Sequence, residues 1–133
     1  MSELKNQISQ FIDTNAKVYQ DISLAIHAKP EVSDFEYFAS QTLSEQLKKE
    51  GFEIELPAAG HRTGFAATYK SNKPGPTVVF LAEYDALAGL GHGCGHNVFG
   101  ATSSLAGAAL KSIVDQIGGE VRVYGTPGEE GGQ

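Results

Sequence analysis

The sequence has one cysteine, few basic residues and no long apolar run, and each shortage excludes a class of protein. A single cysteine, Cys94, cannot form an internal disulfide, which favours a reducing cytoplasm as the location. The 10 lysines and arginines are scattered and outnumbered by 16 acidic residues, so no basic stripe is available for a nucleic-acid backbone. The N-terminal segment is polar and periodic, with no apolar stretch that could serve as a signal peptide or a membrane span. Nucleic acid and membranes are therefore not expected as partners.

Glycine-rich phosphate-binding motifs are also lacking, although the chain is rich in glycine. A strand, a glycine-rich loop and a helix between positions 77 and 117 are the ingredients of a dinucleotide-binding unit. No glycine in residues 89–95 begins a complete GxGxxG pattern, and GxxxxGK[ST] does not occur. A phosphate site is therefore the minor hypothesis for this loop.

The 133 residues, 41% of them apolar, are sufficient for one compact domain with a hydrophobic core. Apolar residues from Leu4 to Ile26 recur at spacings of three, four and seven, which predicts an amphipathic helix that ends before Pro30. The same pattern from Phe35 to Leu47 predicts a second helix that stops at Gly51. Two strands are predicted next, an alternating one at 52–56 and a second at GFAATYK.

The second half of the chain has the pattern of a parallel α/β unit. TVVFLA at 77–82 is a continuous apolar run, which predicts a central strand covered on both faces. A helix of small residues is predicted from about Asn97 to Ile117, and EVRVY predicts a second buried strand. A strand, crossover helix and strand of this kind are parallel, so the loops that follow the two strands lie at the same edge of the sheet.

Those two loops, 83–96 and 125–133, contain most of the reactive side chains. Their common edge brings Cys94 and His96 near Glu129 and Glu130. Thiolate, imidazole and carboxylate together form a ligand set for zinc or another divalent metal. Adjacent glutamates tend to point apart, so one carboxylate is expected on the metal and the other is free to take a proton from metal-bound water.

Each of these residues also has an ordinary structural interpretation. A lone cysteine such as Cys94 is most often a small buried hydrophobic residue. His92 is better interpreted as a loop residue or a contact behind the ligands, and His27 and His61 as structural or substrate-facing. Paired glutamates are commonly just solvated. The metal site is favoured because these separate signals fall on two loops that the topology brings together.

Four segments of the chain, taken in order, resemble the motifs of a known family. HAKPE (27–31), EYDAL (83–87), GHGCGHN (91–97) and GTPGEEGG (125–132) are similar to motifs of the M20 metallopeptidase family, in its amidohydrolase branch. The match spans nearly the whole chain. Asn97 stands where many amidohydrolases of the branch have Asp. With this Asn, the segment GHGCGHN is most similar to the p-aminobenzoyl-glutamate hydrolase and dipeptidase-like members.

The resemblance implies a fold of the α/β class. Residues 1–133 would form the front part of a zinc-exopeptidase-like three-layer domain, with a mixed sheet and helices on both faces. They would be the N-terminal portion of the metal-binding catalytic domain, without the lid and dimerisation domain and the C-terminal part. The full-length protein would be a homodimer, and the 133-residue chain alone is expected to be inactive.

The resemblance also implies a reaction and its residues. The activity would be hydrolysis of the amide bond of an N-acyl amino acid or small peptide, with two divalent metal ions, zinc or manganese. Glu129 matches the catalytic base, and Asp85 matches an acid that supports the metal cluster. Glu83 occupies the place of a metal-binding histidine in other branches and is not counted as a ligand. The residues that match the family's metal ligands are Cys94, His96 and Glu130.

A second function class is left open by the sequence. The chain would then be a non-catalytic α/β binding module that retains the fold without the chemistry. Metal content measured together with turnover separates the two classes.

Overall fold

The predicted helices and strands are all present, with ends that shift by no more than two residues. The computed structural model describes residues 2–131, so Gly132 and Gln133 of the predicted loop lie outside the described residues. No helix within residues 2–131 is both long enough and apolar enough to cross a membrane. In chain order the elements are α1 (Ser2–Ala28), α2 (Tyr37–Lys49), β1 (Glu53–Glu55), β2 (Phe65–Lys70), β3 (Thr77–Ala82), α3 (His96–Ile117) and β4 (Glu120–Gly125).

The strands of residues 2–131 form one mixed sheet in the order β1-β2-β4-β3. Strand β2 is antiparallel to both β1 and β4, whereas β3 and β4 are parallel, with Val78 opposite Val121 and Ala82 opposite Gly125. The predicted parallel unit is confirmed, with α3 as its crossover. The loops that follow β3 and β4 therefore leave the same edge of the sheet.

The core lies between one face of this sheet and the helices. Alternate residues of β4, Val121 and Val123, are fully buried, as are Phe65 and Ala67 on β2. Helix α3 approaches the sheet so closely that a Cβ atom on Gly107 would overlap the Val123 side chain. Helix α1 packs mainly on α3 and α2 rather than directly on the sheet. For most apolar positions of α1 and α2, the periodicity seen in the sequence thus corresponds to the face that the helix buries.

The prediction that TVVFLA is a central strand covered on both faces is wrong within residues 2–131. Strand β3 is at the edge of the sheet, and β4 takes the central place beside it. Val79 and Leu81 are 42% and 51% exposed. The reason is that the helices of residues 2–131 share one core against one face of the sheet. The α/β class and the mixed sheet are confirmed, whereas helices on the second face are not found in this part of the chain.

The segment between α1 and α2 is tied to both helix and sheet. The Glu31 carboxylate accepts hydrogen bonds from the N–H groups of Phe38 and Ala39, at 2.9 and 3.0 Å. These groups belong to the first turn of α2, where no intrahelical acceptor exists. The Glu31 carbonyl accepts the N–H of Ala86, in the loop after β3, at 2.8 Å. Segment 31–36 is thereby held against the edge of the sheet where the two loops meet.

Candidate metal centre

The centre of the candidate site is His96, the first residue of α3. It follows Gly95, whose φ of +78° lies in the left-handed region that favours glycine. The His96 ring is buried, and its Nδ1 lies 2.9 Å from Asp85 Oδ1 and 3.0 Å from the Asp85 carbonyl oxygen. Both neighbours are acceptors, so Nδ1 carries the hydrogen. In the neutral ring the free lone pair is then on Nε2.

Asp85 joins the two loops through its buried carboxylate. It accepts the Ser33 hydroxyl and the Glu130 backbone N–H, each at 2.8 Å, in addition to His96. Burial favours the protonated form, but the hydrogen bonds from Glu130, Ser33 and His96 outweigh burial and lower the pKa of Asp85. A charged carboxylate with these partners fixes both the His96 ring and the loop after β4.

Three more carboxylates surround the opposite side of the His96 ring. Its Nε2 lies 3.1 Å from Glu83 Oε1, 3.4 Å from Glu129 Oε1 and 3.7 Å from Glu130 Oε2. One donor atom each from Glu83, His96 and Glu129 lie within 4.8 Å of one another. A nitrogen lone pair and carboxylate oxygens are all acceptors, so this arrangement is repulsive unless a proton or a cation lies between them.

The electrostatics of the cluster favour a cation. Burial, followed by the charge of Glu129, raises the pKa of Glu83. Burial opposes the charged form of His96, but the hydrogen bond and charge of Asp85, with Glu83, raise its pKa overall. Negative charge is therefore in excess around Nε2. The nitrogen and oxygen donors fit a divalent ion such as zinc or manganese.

Cys94 lies at the exposed side of this cluster. A hydrogen bond to the Glu130 carboxylate raises the pKa of its thiol. Because Cys94 is exposed, its interpretation as a buried hydrophobic residue is wrong. Its sulfur lies beside a predicted ligand, although the compact group of donors consists of Glu83, His96 and Glu129. The ligand set of Cys94, His96 and Glu130, with Glu129 as the base, stays a prediction.

Glu83 is the residue that sequence reasoning set aside and the structure brings into the cluster. The available signal was its position, since Glu83 directly follows the last residue of β3 and so lies at the edge where both loops leave the sheet.

His92 lies outside the cluster. It is half-buried, its ring nitrogens have no hydrogen-bond partner within residues 2–131, and its ring centre is 6.3 Å from that of His27. His27 and His61 are exposed.

Known proteins similar to this chain include several hydrolases, although no protein-family model matches it. The chain is 34% identical to one subunit of the p-aminobenzoyl-glutamate hydrolase of Escherichia coli (strain K12), a match that covers 99% of this chain and 31% of that protein. It is 35% identical to the Xaa-Arg dipeptidase of Mus musculus, a match that covers 97% of this chain and 33% of that protein. The chain thus spans about a third of the length of these relatives.

Solved structures share the fold. A protein of methicillin-resistant Staphylococcus aureus described as a proposed aminohydrolase is 27% identical, with a TM-score of 0.79 over 92% of this chain and 34% of that one. A Bacillus subtilis protein described as a dinuclear metal-binding peptidase from the M20 family is 24% identical, with a TM-score of 0.66 over 95% of this chain and 36% of that one. Both the sequence relatives and the shared fold agree with the four motifs. The chain belongs to the M20 peptidase family.

Proposed function

We propose that this chain carries the metal-binding and general-base groups of an amide hydrolase that acts on N-acyl amino acids or small peptides. The observation that carries the proposal is the environment of His96. Asp85 holds one ring nitrogen, and three carboxylates lie 3.1 to 3.7 Å from the other. A carboxylate–histidine pair of this kind orients the second nitrogen as a metal ligand. Relatives that are named as hydrolases support the same conclusion.

His96 and Glu130 would hold the metal, with Cys94 completing the set predicted from the family. Glu83 is a further candidate, because its carboxylate is the one nearest to His96 Nε2. The cofactor in this proposal is a pair of divalent ions, zinc or manganese. When bound, such ions polarise the scissile carbonyl and lower the pKa of a water molecule.

Glu129 is the proposed general base. Its side chain is 51% exposed, compared with 22% for Glu83 and 19% for Glu130, although all three lie near His96 Nε2. An exposed carboxylate at the rim can reach both a water molecule and a substrate. Glu129 would accept the proton of the attacking water and then donate it to the departing amine.

The remaining parts of the proposal concern the complete protein. Its substrates would be p-aminobenzoyl-glutamate-like compounds, N-acyl amino acids or dipeptides, and it would act as a cytoplasmic homodimer. The names of two relatives, a p-aminobenzoyl-glutamate hydrolase subunit and an Xaa-Arg dipeptidase, support the substrate classes. Residues 1–133 would then be the N-terminal portion of the catalytic domain.

The proposed function is tested with Glu129→Gln in the complete protein, loaded with zinc or manganese. Glutamine keeps the size of the side chain but cannot accept the proton, so kcat should fall about 10²- to 10⁴-fold while bound metal is retained. Glu53→Gln makes the same change on the exposed strand β1 and should leave kcat unchanged. A Glu129→Gln variant with normal turnover would remove the residue from the mechanism. Metal binding by the wild-type protein without turnover of any amide would favour the non-catalytic binding module.

A further inference from the structure

Glu36 is a buried acid that the proposed chemistry does not use. Its side chain immediately precedes α2 and is 0% exposed. One carboxylate oxygen accepts the Thr63 hydroxyl at 2.7 Å, and the other accepts the backbone N–H of Gly128 at 2.8 Å. Burial raises the pKa of Glu36, and its hydrogen bonds, including those from Thr63 and Gly128, oppose that rise. Each oxygen of the buried carboxylate therefore accepts one hydrogen bond, from Thr63 and from Gly128.

One of those donors belongs to the loop that carries the proposed base. Gly128 precedes Glu129, and the next residue, Glu130, donates its N–H to Asp85 at 2.8 Å. Glu129 thus lies between two backbone N–H groups, each held by a different buried carboxylate. Gly128 has a φ of +72°, a left-handed conformation that allows the sharp turn between these two anchors. The direction in which Glu129 leaves the backbone depends on both.

We propose that Glu36 is a positioning residue for Glu129, because its carboxylate holds the Gly128 N–H and thereby orients the side chain of the base. This inference rests on the proposed function, in which Glu129 transfers the proton. The hydrogen bonds of the Glu36 carboxylate go to Thr63 and Gly128 and not to the donor group around His96, so Glu36 would act through the loop. Displacing a catalytic group by about 1 Å can lower a rate about 10²-fold. Loss of the anchor should therefore lower kcat by about 10- to 100-fold and change KM and bound metal little.

Three substitutions at Glu36 distinguish the effect of losing its hydrogen bond to Gly128 from the effect of changing its packing in the core. Glu36→Met keeps the length of the side chain but provides no oxygen acceptor, so it should lower kcat. Glu36→Gln should retain most activity, because its amide oxygen can accept the Gly128 N–H while its amide group donates to Thr63 Oγ1. Glu36→Asp keeps the charge but is one methylene shorter, so it should lose contact with one partner and lower kcat as well.

The experiment measures kcat, KM and bound metal of these variants in the complete protein loaded with zinc or manganese. Backbone hydrogen exchange of residues 126–131 provides a readout that does not depend on activity. Exchange should become faster in Glu36→Met and remain slow in Glu36→Gln. Leu47→Ala, which creates a cavity on the core side of α2 without touching the loop, is the control for destabilisation. It should lower thermal stability and leave kcat and loop exchange unchanged.

A double variant decides whether Glu36 acts through the base. In a Glu129→Gln background the substitution Glu36→Met should have no further effect on kcat, since the group that it orients is already lost. Effects that multiply in the double variant would overturn the positioning role, as would unchanged kcat and exchange in Glu36→Met. If Glu129→Gln itself keeps full turnover, the proposed function fails. If Glu129→Gln loses turnover and Glu36→Met does not, only the positioning inference fails.

Discussion

Replacing Asp85 by asparagine tests whether one buried carboxylate holds the metal centre together. The two side chains have the same shape, but asparagine has one acceptor oxygen and one donor group in place of two acceptor oxygens. Oδ1 of Asp85 accepts from His96, and Oδ2 accepts from both Ser33 and Glu130. The Ser33 hydroxyl can turn to accept from an amide, whereas the Glu130 N–H cannot. The NH2 group of asparagine would therefore face an N–H donor in either orientation, that of His96 at the Oδ1 position or that of Glu130 at the Oδ2 position.

The expected magnitude follows from these contacts. A hydrogen bond to a charged group contributes about 1.5–3 kcal/mol, so Asp85→Asn should lower the free energy of unfolding by at least that amount. Loss of a carboxylate behind a ligating histidine should also weaken metal binding by about 10- to 100-fold. The native pKa of Asp85 is lowered, so its carboxylate adds to the free energy of unfolding when the pH is above the unfolded-state pKa of about 3.9. This stabilisation is lost as the pH falls through the native pKa. The difference from wild type should be largest at neutral pH and shrink in acid.

The assay is urea unfolding from pH 7 to pH 3, combined with titration of zinc or manganese into the metal-free complete protein. Asp115→Asn is the matched control, because Asp115 is exposed and accepts a hydrogen bond from Tyr69 at the surface. This control should change stability by less than about 1 kcal/mol and leave metal affinity unchanged. Unchanged metal affinity together with unchanged stability in Asp85→Asn would refute the reasoning.

Three further predictions concern packing, helix capping and the exposed strand. Gly107→Ala should lower the free energy of unfolding by about 1–3 kcal/mol, because the new methyl group would overlap Val123; a gain in stability in urea unfolding, as helix propensity alone predicts, would contradict this. Glu31→Ala removes the acceptor for two N–H groups of α2 and should cost about 0.5–2 kcal/mol in the same measurement, so unchanged stability would argue against the cap. The 133-residue chain should self-associate through β3, because this strand lies at the sheet edge and exposes Leu81; Leu81→Lys should reduce the association in analytical ultracentrifugation without changing the circular dichroism, and equal association would exclude this surface.

The local structure of this protein could be predicted from the sequence because its signals are local. The spacing of apolar residues from Leu4 to Ile26 predicts an amphipathic helix, and Pro30 prevents that helix from continuing. The crossover from one apolar strand through α3 to EVRVY leaves a parallel arrangement as the expected outcome. This topology predicts that the loops containing His96 and Glu129 lie at one edge of the sheet. In the structure the two side chains are 3.4 Å apart at that edge.

Burial and side-chain direction were decided only by the tertiary structure. The run TVVFLA has the same pattern at the centre of a sheet and at its edge, because hydropathy does not say how many neighbours a strand has. Which carboxylate approaches His96 Nε2 depends on how two loops distant in sequence are held, and here Glu83 lies closer than Glu130. Glu36 carries no sequence signal that relates it to a loop 92 residues away. Its proposed role depends on a hydrogen bond between the residue that precedes α2 and the loop that follows β4, and this bond exists only in the folded chain.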